Sequence, residues 1–279
     1  MPVARFLQLL SRRLRHFAVT QRNASAAGER RAILQLRSMS DIQSQIDQAV
    51  EILREGGVVA FPTDTVYGLG ADAFNATAVA RIYDIKGRPR DRQLPLLIAD
   101  TEALTGLVEP IPGIGWFLTR RFWPGGLTLV LPRAGSLPAH LSHGQTIAVR
   151  IPAHPVCLAL ICGLGNPVIG TSANRSGQPS ALTADEVVRQ LGDTIDLVID
   201  GGRCPGGRES TVVDVSGQAP TVLREGIIPS DQIHKACQEY TESNEGQQEM
   251  LNAGAACRFD TSTPTNSHGG HSRLSGGPR

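Results

Sequence analysis

The residues of this chain that could do chemistry gather in short polar segments, and Lys86-Gly87-Arg88-Pro89 stands out first. Only two of the 27 basic residues are lysines, and one of them sits in this glycine- and proline-marked stretch. A lysine ammonium is a compact point charge, whereas a guanidinium is a planar fork. One of each, two residues apart, suits a polyanion such as the phosphates of a nucleotide. For a basic pair taken alone, a solvated surface loop is the plain alternative.

The other polar segments are Pro62-Thr63-Asp64-Thr65-Val66-Tyr67-Gly68, Arg90-Asp91-Arg92, Arg150, Thr171-Ser172-Ala173-Asn174, Glu209-Ser210-Thr211 and Arg224-Glu225-Gly226. Their inventory is hydroxyls, amides and cations. The sequence holds no Ser-His-Asp arrangement, no H-E-x-x-H, no G-x-G-x-x-G and no Walker loop. Residues 201–208, Gly-Gly-Arg-Cys-Pro-Gly-Gly-Arg, could present backbone N–H groups to an anion, or simply form a flexible loop. His140, His143, His154, His268 and His271 lie in loops or near the C-terminal end without a visible partner, and are read as surface residues. An inventory without a nucleophile points to catalysis by positioning and electrostatics. Hydroxyls and amides orient substrates while cations stabilise charge moving onto a leaving group, as in nucleotidyl transfer. Such a site needs Mg2+ on the phosphates, held mostly by substrate and water.

Composition bounds the scaffold that must position these groups. At 279 residues and 41% apolar content, the chain can build one large domain or two small ones. A net charge of +1 provides no global attraction to nucleic acid or membrane. Five cysteines with no C-x-x-C pair argue against a disulfide framework and a zinc site, and fit a reducing cytosol. No apolar run reaches the roughly 18 residues of a membrane span. Residues 1–38 are basic, with Glu29 their one acid. They read either as an organelle transit peptide or as an upstream extension of a reading frame that starts near Met39; we favour the second. Residues 241–279 are polar and expected to be disordered. The folded unit is therefore expected over residues 40–238.

Within it, Ser40 is placed to cap a helix with Ile42, Ile46, Ala49, Val50 and Leu53 on one face, ended by Gly56-Gly57. Val58 to Phe61 reads as a buried strand. Asn75 caps a second helix, with Val79, Ile82 and Tyr83 inward, that delivers Lys86 at its end. Further strands are expected over Leu94 to Ala99, Leu127 to Leu131, Thr146 to Ile151, Pro167 to Gly170, Leu197 to Ile199, Thr211 to Val215 and Thr221 to Leu223. Helices are expected over Gly115 to Phe122 and Pro155 to Cys162, after the capping box Thr183-x-x-Glu186, and over Pro229 to Cys237. Strands and helices alternate irregularly, so a twisted mixed α/β sheet is expected rather than a repeating βαβ barrel.

Seven segments occur in order: Pro62-Thr63-Asp64-Thr65-Val66-Tyr67-Gly68-Leu69-Gly70, Lys86-Gly87-Arg88-Pro89, Trp123-Pro124-Gly125, Val149-Arg150-Ile151-Pro152, Thr171-Ser172-Ala173-Asn174-x-Ser176-Gly177, Ser210-Thr211-Val212-Val213-Asp214 and Leu223-Arg224-x-Gly226. Over about residues 42–238 the chain closely resembles the YrdC-like family of threonylcarbamoyl-AMP synthases. The resemblance implies a single YrdC-like domain, with flanking helices and a twisted sheet around a concave basic cavity. It implies a cytoplasmic nucleotidyltransferase that joins L-threonine, bicarbonate or CO2, and ATP into L-threonylcarbamoyladenylate, releasing pyrophosphate. The product would serve N6-threonylcarbamoyladenosine formation in tRNAs reading ANN codons, through a downstream transferase complex, with at most weak tRNA contact.

By the same resemblance, Lys86 and Arg88 hold the phosphates. Thr65, Arg150, Ser172 and Ser210 take threonine, with Arg150 on its carboxylate. Arg92, Thr146, Asn174 and Arg224 contact ATP. The chain departs from the family at three places. The Leu94-Pro95-Leu96-Leu97 region has no histidine, and Arg92 and Leu182 stand where other residue types are usual.

Two other readings differ in class. A non-catalytic RNA-binding module would use the Arg88, Arg90, Arg92 run and Arg120-Arg121 on a phosphate backbone, but no aromatic is interleaved with that first run. A YrdC-like unit of a hydrogenase-maturation carbamoyltransferase would belong to a much longer chain with acylphosphatase-like and zinc-finger regions.

Overall fold

Val58, Val59, Ala60 and Phe61 are all buried, but they alternate between two cores. Val58 and Ala60 join one apolar cluster and Val59 and Phe61 the other. That is the period of two of a strand covered on both faces. The structure is a computed structural model. It describes residues 41–142 and 144–256, with side chains as far as residue 243. Readings for residues 1–38, the Ser40 cap, His143 and residues 257–279 fall outside the described residues.

One sheet of nine strands runs in the order β7-β1-β2-β6-β3-β5-β4-β8-β9. The strands are β1 (Val59–Phe61), β2 (Gly68–Asp72), β3 (Leu96–Leu97), β4 (Leu127–Pro132), β5 (Thr146–Arg150), β6 (Val168–Ser172), β7 (Leu197–Val198), β8 (Thr211–Asp214) and β9 (Thr221–Arg224). Pairs β1/β7, β3/β5 and β4/β8 are parallel and the rest antiparallel, so the mixed sheet is as expected.

Helix α1 (residues 41–54) covers one face together with α4 (Pro155–Leu164), burying Ile46, Val50, Leu53, Leu160 and Ile161 against Val59, Phe61, Leu97 and Val168. The other core takes Ile82 of α2 (Ala76–Lys86), Leu118 of α3 (Gly113–Phe122), Val187 of α5 (Ala184–Leu191), and Ile233 and Ala236. Capping follows the sequence. Asn75 Oδ1 accepts from Ala78 N at 3.0 Å. Thr183 Oγ1 accepts from Glu186 N at 3.3 Å, and Glu186 Oε2 accepts from Leu182 N at 2.6 Å.

The structure corrects several expectations. Strand β2 was not expected, because Gly-Leu-Gly-Ala-Asp has poor strand propensity. Its glycines are there for clearance: a Cβ on Gly70 would meet Ile169 O and the Phe61 ring at 2.7 Å. The strand expected over Leu94 to Ala99 narrows to Leu96–Leu97, although Pro95 O still accepts from Gly170 N and Ile98 N still donates to Arg150 O. The chain divides into two units at Cys237/Gln238. The last helix, α6 (Ser230–Ala256), was expected to end at Cys237. Residues 241–256 are thus helical rather than disordered. Glu, Gln, Met, Leu and Ala in that stretch have high helix propensity.

Candidate active site

Alternation along the strands fixes which face carries the site. Leu97 and Val168 belong to the core under α1 and α4, while Leu127, Leu129 and Val149 belong to the other core. Thr128, Arg150, Gly170 and Ser172 therefore point to the α1/α4 face. There they line a cavity beside the apolar cluster, with Thr63, Thr65, Arg88, Leu97, Glu209, Ser210 and Arg224. The β3/β5 register sets Leu97 next to Arg150.

Helix α2 ends so as to deliver its two cations differently. Gly87 adopts left-handed φ 59° and ψ 36° and its N–H returns to Asp84 O, while Arg88 N bonds Tyr83 O at 3.0 Å. Lys86 stays inside, 4% exposed. Its Nζ donates to Ser172 O, to Asn174 O at 2.8 Å and to Asn174 Oδ1 at 3.4 Å. Burial, then the charge of Arg88, pulls the ammonium down to a pKa of about 8, against a smaller upward pull from Glu209. Arg88, half-buried, lines the cavity. Its Nε donates to Arg92 O at 3.1 Å and Nη2 to Gln93 O at 3.2 Å.

The same device recurs at Arg224, whose Nη2 donates to Ser210 O at 2.8 Å and to Ser210 Oγ at 3.3 Å. Main-chain carbonyls thus aim Lys86, Arg88 and Arg224 without cancelling their charge. Arg150, 6% exposed, is different. Nη2 donates to Asp64 Oδ1 at 2.6 Å, Nη1 to Thr65 Oγ1 at 3.0 Å, and Nε to Gly125 O at 2.9 Å. Two of its five N–H groups remain for a ligand. Ser210 Oγ contacts Thr128 Oγ1 at 2.8 Å.

Of the sequence-expected site residues, the structure brings Thr65, Arg88, Arg150, Ser172, Ser210 and Arg224 to one cavity. Lys86 and Asn174 stand behind it. Asn174 Nδ2 donates to Arg175 O and Gln178 O, bracing the loop after β6. Two expected nucleotide contacts lie elsewhere. Thr146 lines a second depression with Tyr83, Asp91, Gln93 and Ser142, because β5 runs from that depression to the cavity and Thr146 is at its far end. Arg92 is exposed, and its carbonyl is what serves Arg88.

Sequence reasoning assigned no role to Asp64, Thr63, Thr128 or Glu209. Glu209 is the carboxylate among the lining residues and accepts from Ser180 Oγ. Burial pushes its carboxyl up, but the Ser180 bond, its own backbone N–H and the Arg224 and Arg208 charges together hold it below the usual range. The signal for Asp64 was its place between two threonines of a loop facing Arg150. His140 and His154, read as surface residues, are half-buried. His140 Nε2 lies 2.9 Å from Ala73 O.

The family model for Sua5, YciO and YrdC proteins, described as "Telomere recombination", matches residues 51–226. A Bacillus subtilis protein named threonylcarbamoyl-AMP synthase is 46% identical over 197 residues, covering 70% of this chain and 57% of that protein. A Mycobacterium tuberculosis protein, named a putative threonylcarbamoyl-AMP synthase, is 41% identical over 190 residues, covering 67% of this chain and 87% of that one. The crystal structure of P. abyssi Sua5 complexed with L-threonine superposes with a TM-score of 0.66 at 45% identity, covering 68% of this chain and 56% of that chain. The chain thus spans little more than half the length of the first and third of these. On the family match and on these identities, the chain belongs to the Sua5/YciO/YrdC family.

Proposed function

We propose that this protein is a nucleotidyltransferase that forms L-threonylcarbamoyl-AMP from L-threonine, bicarbonate or CO2, and MgATP, releasing pyrophosphate. The observation that carries the reading is the contrast among its cations. Arg88 and Arg224 are held by main-chain carbonyls, with the Glu209 carboxylate acting on Arg224 only through its field, while Arg150 is paired in direct contact with Asp64 beside small hydroxyls. Guanidinium groups anchored by carbonyls rather than by direct ion pairs suit a polyphosphate. A neutral Arg–Asp pair beside Thr65 and Ser210 suits a small zwitterion, with the two remaining N–H groups of Arg150 on its carboxylate. The naming of relatives as threonylcarbamoyl-AMP synthases, and of a relative's complex with L-threonine, supports the same assignment.

The cavity holds about 120 Å³, below the roughly 300 Å³ at which ligand pockets of drug size begin. That is room for one small amino acid and not for phosphates as well. The nucleotide extends beyond it, and Thr146 and Arg92 are its expected outer contacts. In the reaction the threonine amine adds to CO2 and loses a proton, giving a carbamate. A carbamate oxygen attacks the α-phosphorus and pyrophosphate departs. Arg88 and Arg224, with Lys86 fixing the Ser172 to Asn174 segment, stabilise charge on the departing phosphates. Mg2+ is read as entering with ATP, carried mostly by the phosphates and water.

The product is a mixed anhydride, activated for transfer of the threonylcarbamoyl group to an amine. That fits N6-threonylcarbamoyladenosine formation in tRNA by a separate transferase complex in the cytoplasm. No helix among the described residues is long and apolar enough to cross a membrane. The test is incubation with ATP, L-threonine, bicarbonate and Mg2+ without RNA. Pyrophosphate release that requires threonine is expected. No release, or tight salt-resistant RNA binding instead, would favour an RNA-binding module.

A further inference from the structure

The threonines of the loop between β1 and β2 form a chain whose proton directions can be worked out. Thr63 Oγ1 lies 2.6 Å from Val66 O. A carbonyl only accepts, so the single hydroxyl proton of Thr63 goes to Val66. Thr63 Oγ1 also accepts from Thr65 N at 3.1 Å and lies 2.9 Å from Thr65 Oγ1. Thr63 has no second proton to give, so Thr65 is the donor in that contact. Both residues are buried, at 3% and 1% exposure, and both protons are taken by protein acceptors. Thr65 Oγ1 in turn accepts from Arg150 Nη1 at 3.0 Å. Its proton and one lone pair are committed, and one lone pair is left toward the cavity that Thr65 lines.

From this we infer that Thr63 is a positioning residue that makes Thr65 an acceptor only, so that Thr65 binds an N–H or O–H donor of the amino acid substrate and not its carboxylate. The inference rests on the amino acid reading of the cavity. It divides the ligand: the carboxylate goes to the free N–H groups of Arg150, and a donor beside it goes to Thr65. A threonine has two such donors next to its carboxylate, the α-ammonium and the β-hydroxyl. A ligand offering only an acceptor there would face a lone pair, which a buried site penalises.

The experiment compares wild type, Thr63→Val and Thr63→Ser, with L-threonine and L-valine binding measured by calorimetry, and KM and kcat measured for L-threonine. Thr63→Val frees the Thr65 proton to turn into the cavity. It is expected to weaken L-threonine binding at least roughly tenfold, raising KM more than it lowers kcat, and Thr63→Ser should restore both. If the β-hydroxyl is the donor, the preference for threonine over valine shrinks in Thr63→Val; if the α-ammonium is, both ligands weaken alike. Unchanged threonine binding in Thr63→Val, or a folded Thr63→Ser that fails to restore it, overturns the inference. The hydroxyl protons of Thr63 and Thr65, observed by NMR in the unliganded wild type, are expected to exchange slowly. Exchange at the rate of exposed threonines would overturn it even if Thr63→Val does not fold. A wild type that binds neither amino acid but keeps both protons protected would instead count against the proposed function.

Discussion

Asp64 holds Arg150 at 2.6 Å while the same oxygen, Oδ1, accepts from Ala153 N at 3.0 Å, so one carboxylate ties the loop after β1 to the turn after β5. Both side chains are largely buried, at 7% exposure for Arg150 and 15% for Asp64. Removing one partner of such a pair leaves the other charge uncompensated, at a cost of about 3–5 kcal/mol. Asp64→Ala is therefore expected to lower urea-unfolding stability by about that amount and to weaken L-threonine binding. Asp64→Asn keeps an acceptor oxygen and should lose less stability. Equal stability of wild type and Asp64→Ala would remove the pair from the fold's supports.

Lys86→Ala and Arg88→Ala are each expected to slow adenylate synthesis at least roughly tenfold, for different reasons. Arg88 lines the cavity, and its loss removes a charge-assisted contact worth about 1.5–3 kcal/mol. Lys86 acts from behind by anchoring the carbonyls of Ser172 and Asn174. Steady-state kinetics on folded variants checks both, and turnover equal to wild type in either would exclude that residue.

The Lys86 ammonium also implies a pH signature. In the free protein its pKa is lowered to about 8, so it loses its proton as pH rises through that value. A nearby polyphosphate favours the charged form. ATP binding is expected to weaken from pH 7 to pH 9 and to take up protons near pH 8, seen as a buffer-dependent calorimetric enthalpy. The stability term has the opposite sign. Between about 8 and the ordinary 10.5 the unfolded chain holds the proton and the folded chain does not, so this group's contribution to stability rises with pH. Lys86→Met should abolish both dependences, and proton uptake that persists in Lys86→Met would assign it to another group.

A chain of residues 39–240 is expected to keep the melting temperature and turnover of the full-length protein. Every cavity residue lies before the division at Cys237/Gln238. A marked fall in either quantity would show that a removed segment supports the site.

Much of the site was legible because its residues sit at strand ends in polar motifs, and side-chain period assigns them a face. Arg150 and Ser172 are of this kind. Asp64 and Glu209 were not legible, because each works through a partner distant in sequence: Arg150 is 86 residues from Asp64, and Ser180 is 29 from Glu209. Strand β2 was hidden for a related reason. Its glycines lower local propensity, and it is the Phe61 ring, the Ile169 carbonyl and the Val168 side chain across the sheet that explain them. Thr146 shows the converse, since the resemblance names a contact while only the direction of β5 shows which depression it faces.

Two glycines bring separate loops into backbone contact around the cavity. A Cβ on Gly206 would meet Asp64 O at 2.6 Å and Thr65 Cα at 2.8 Å, and one on Gly226 would meet Glu209 O at 2.3 Å. Neither residue offers a ligand a side chain, yet even an alanine there would push aside the segments that carry Thr65 and Ser210. In a saturation screen for activity, positions 206 and 226 should therefore be as intolerant as any arginine of the cavity, and their losses should fall with no regard to the charge or polarity of what replaces them.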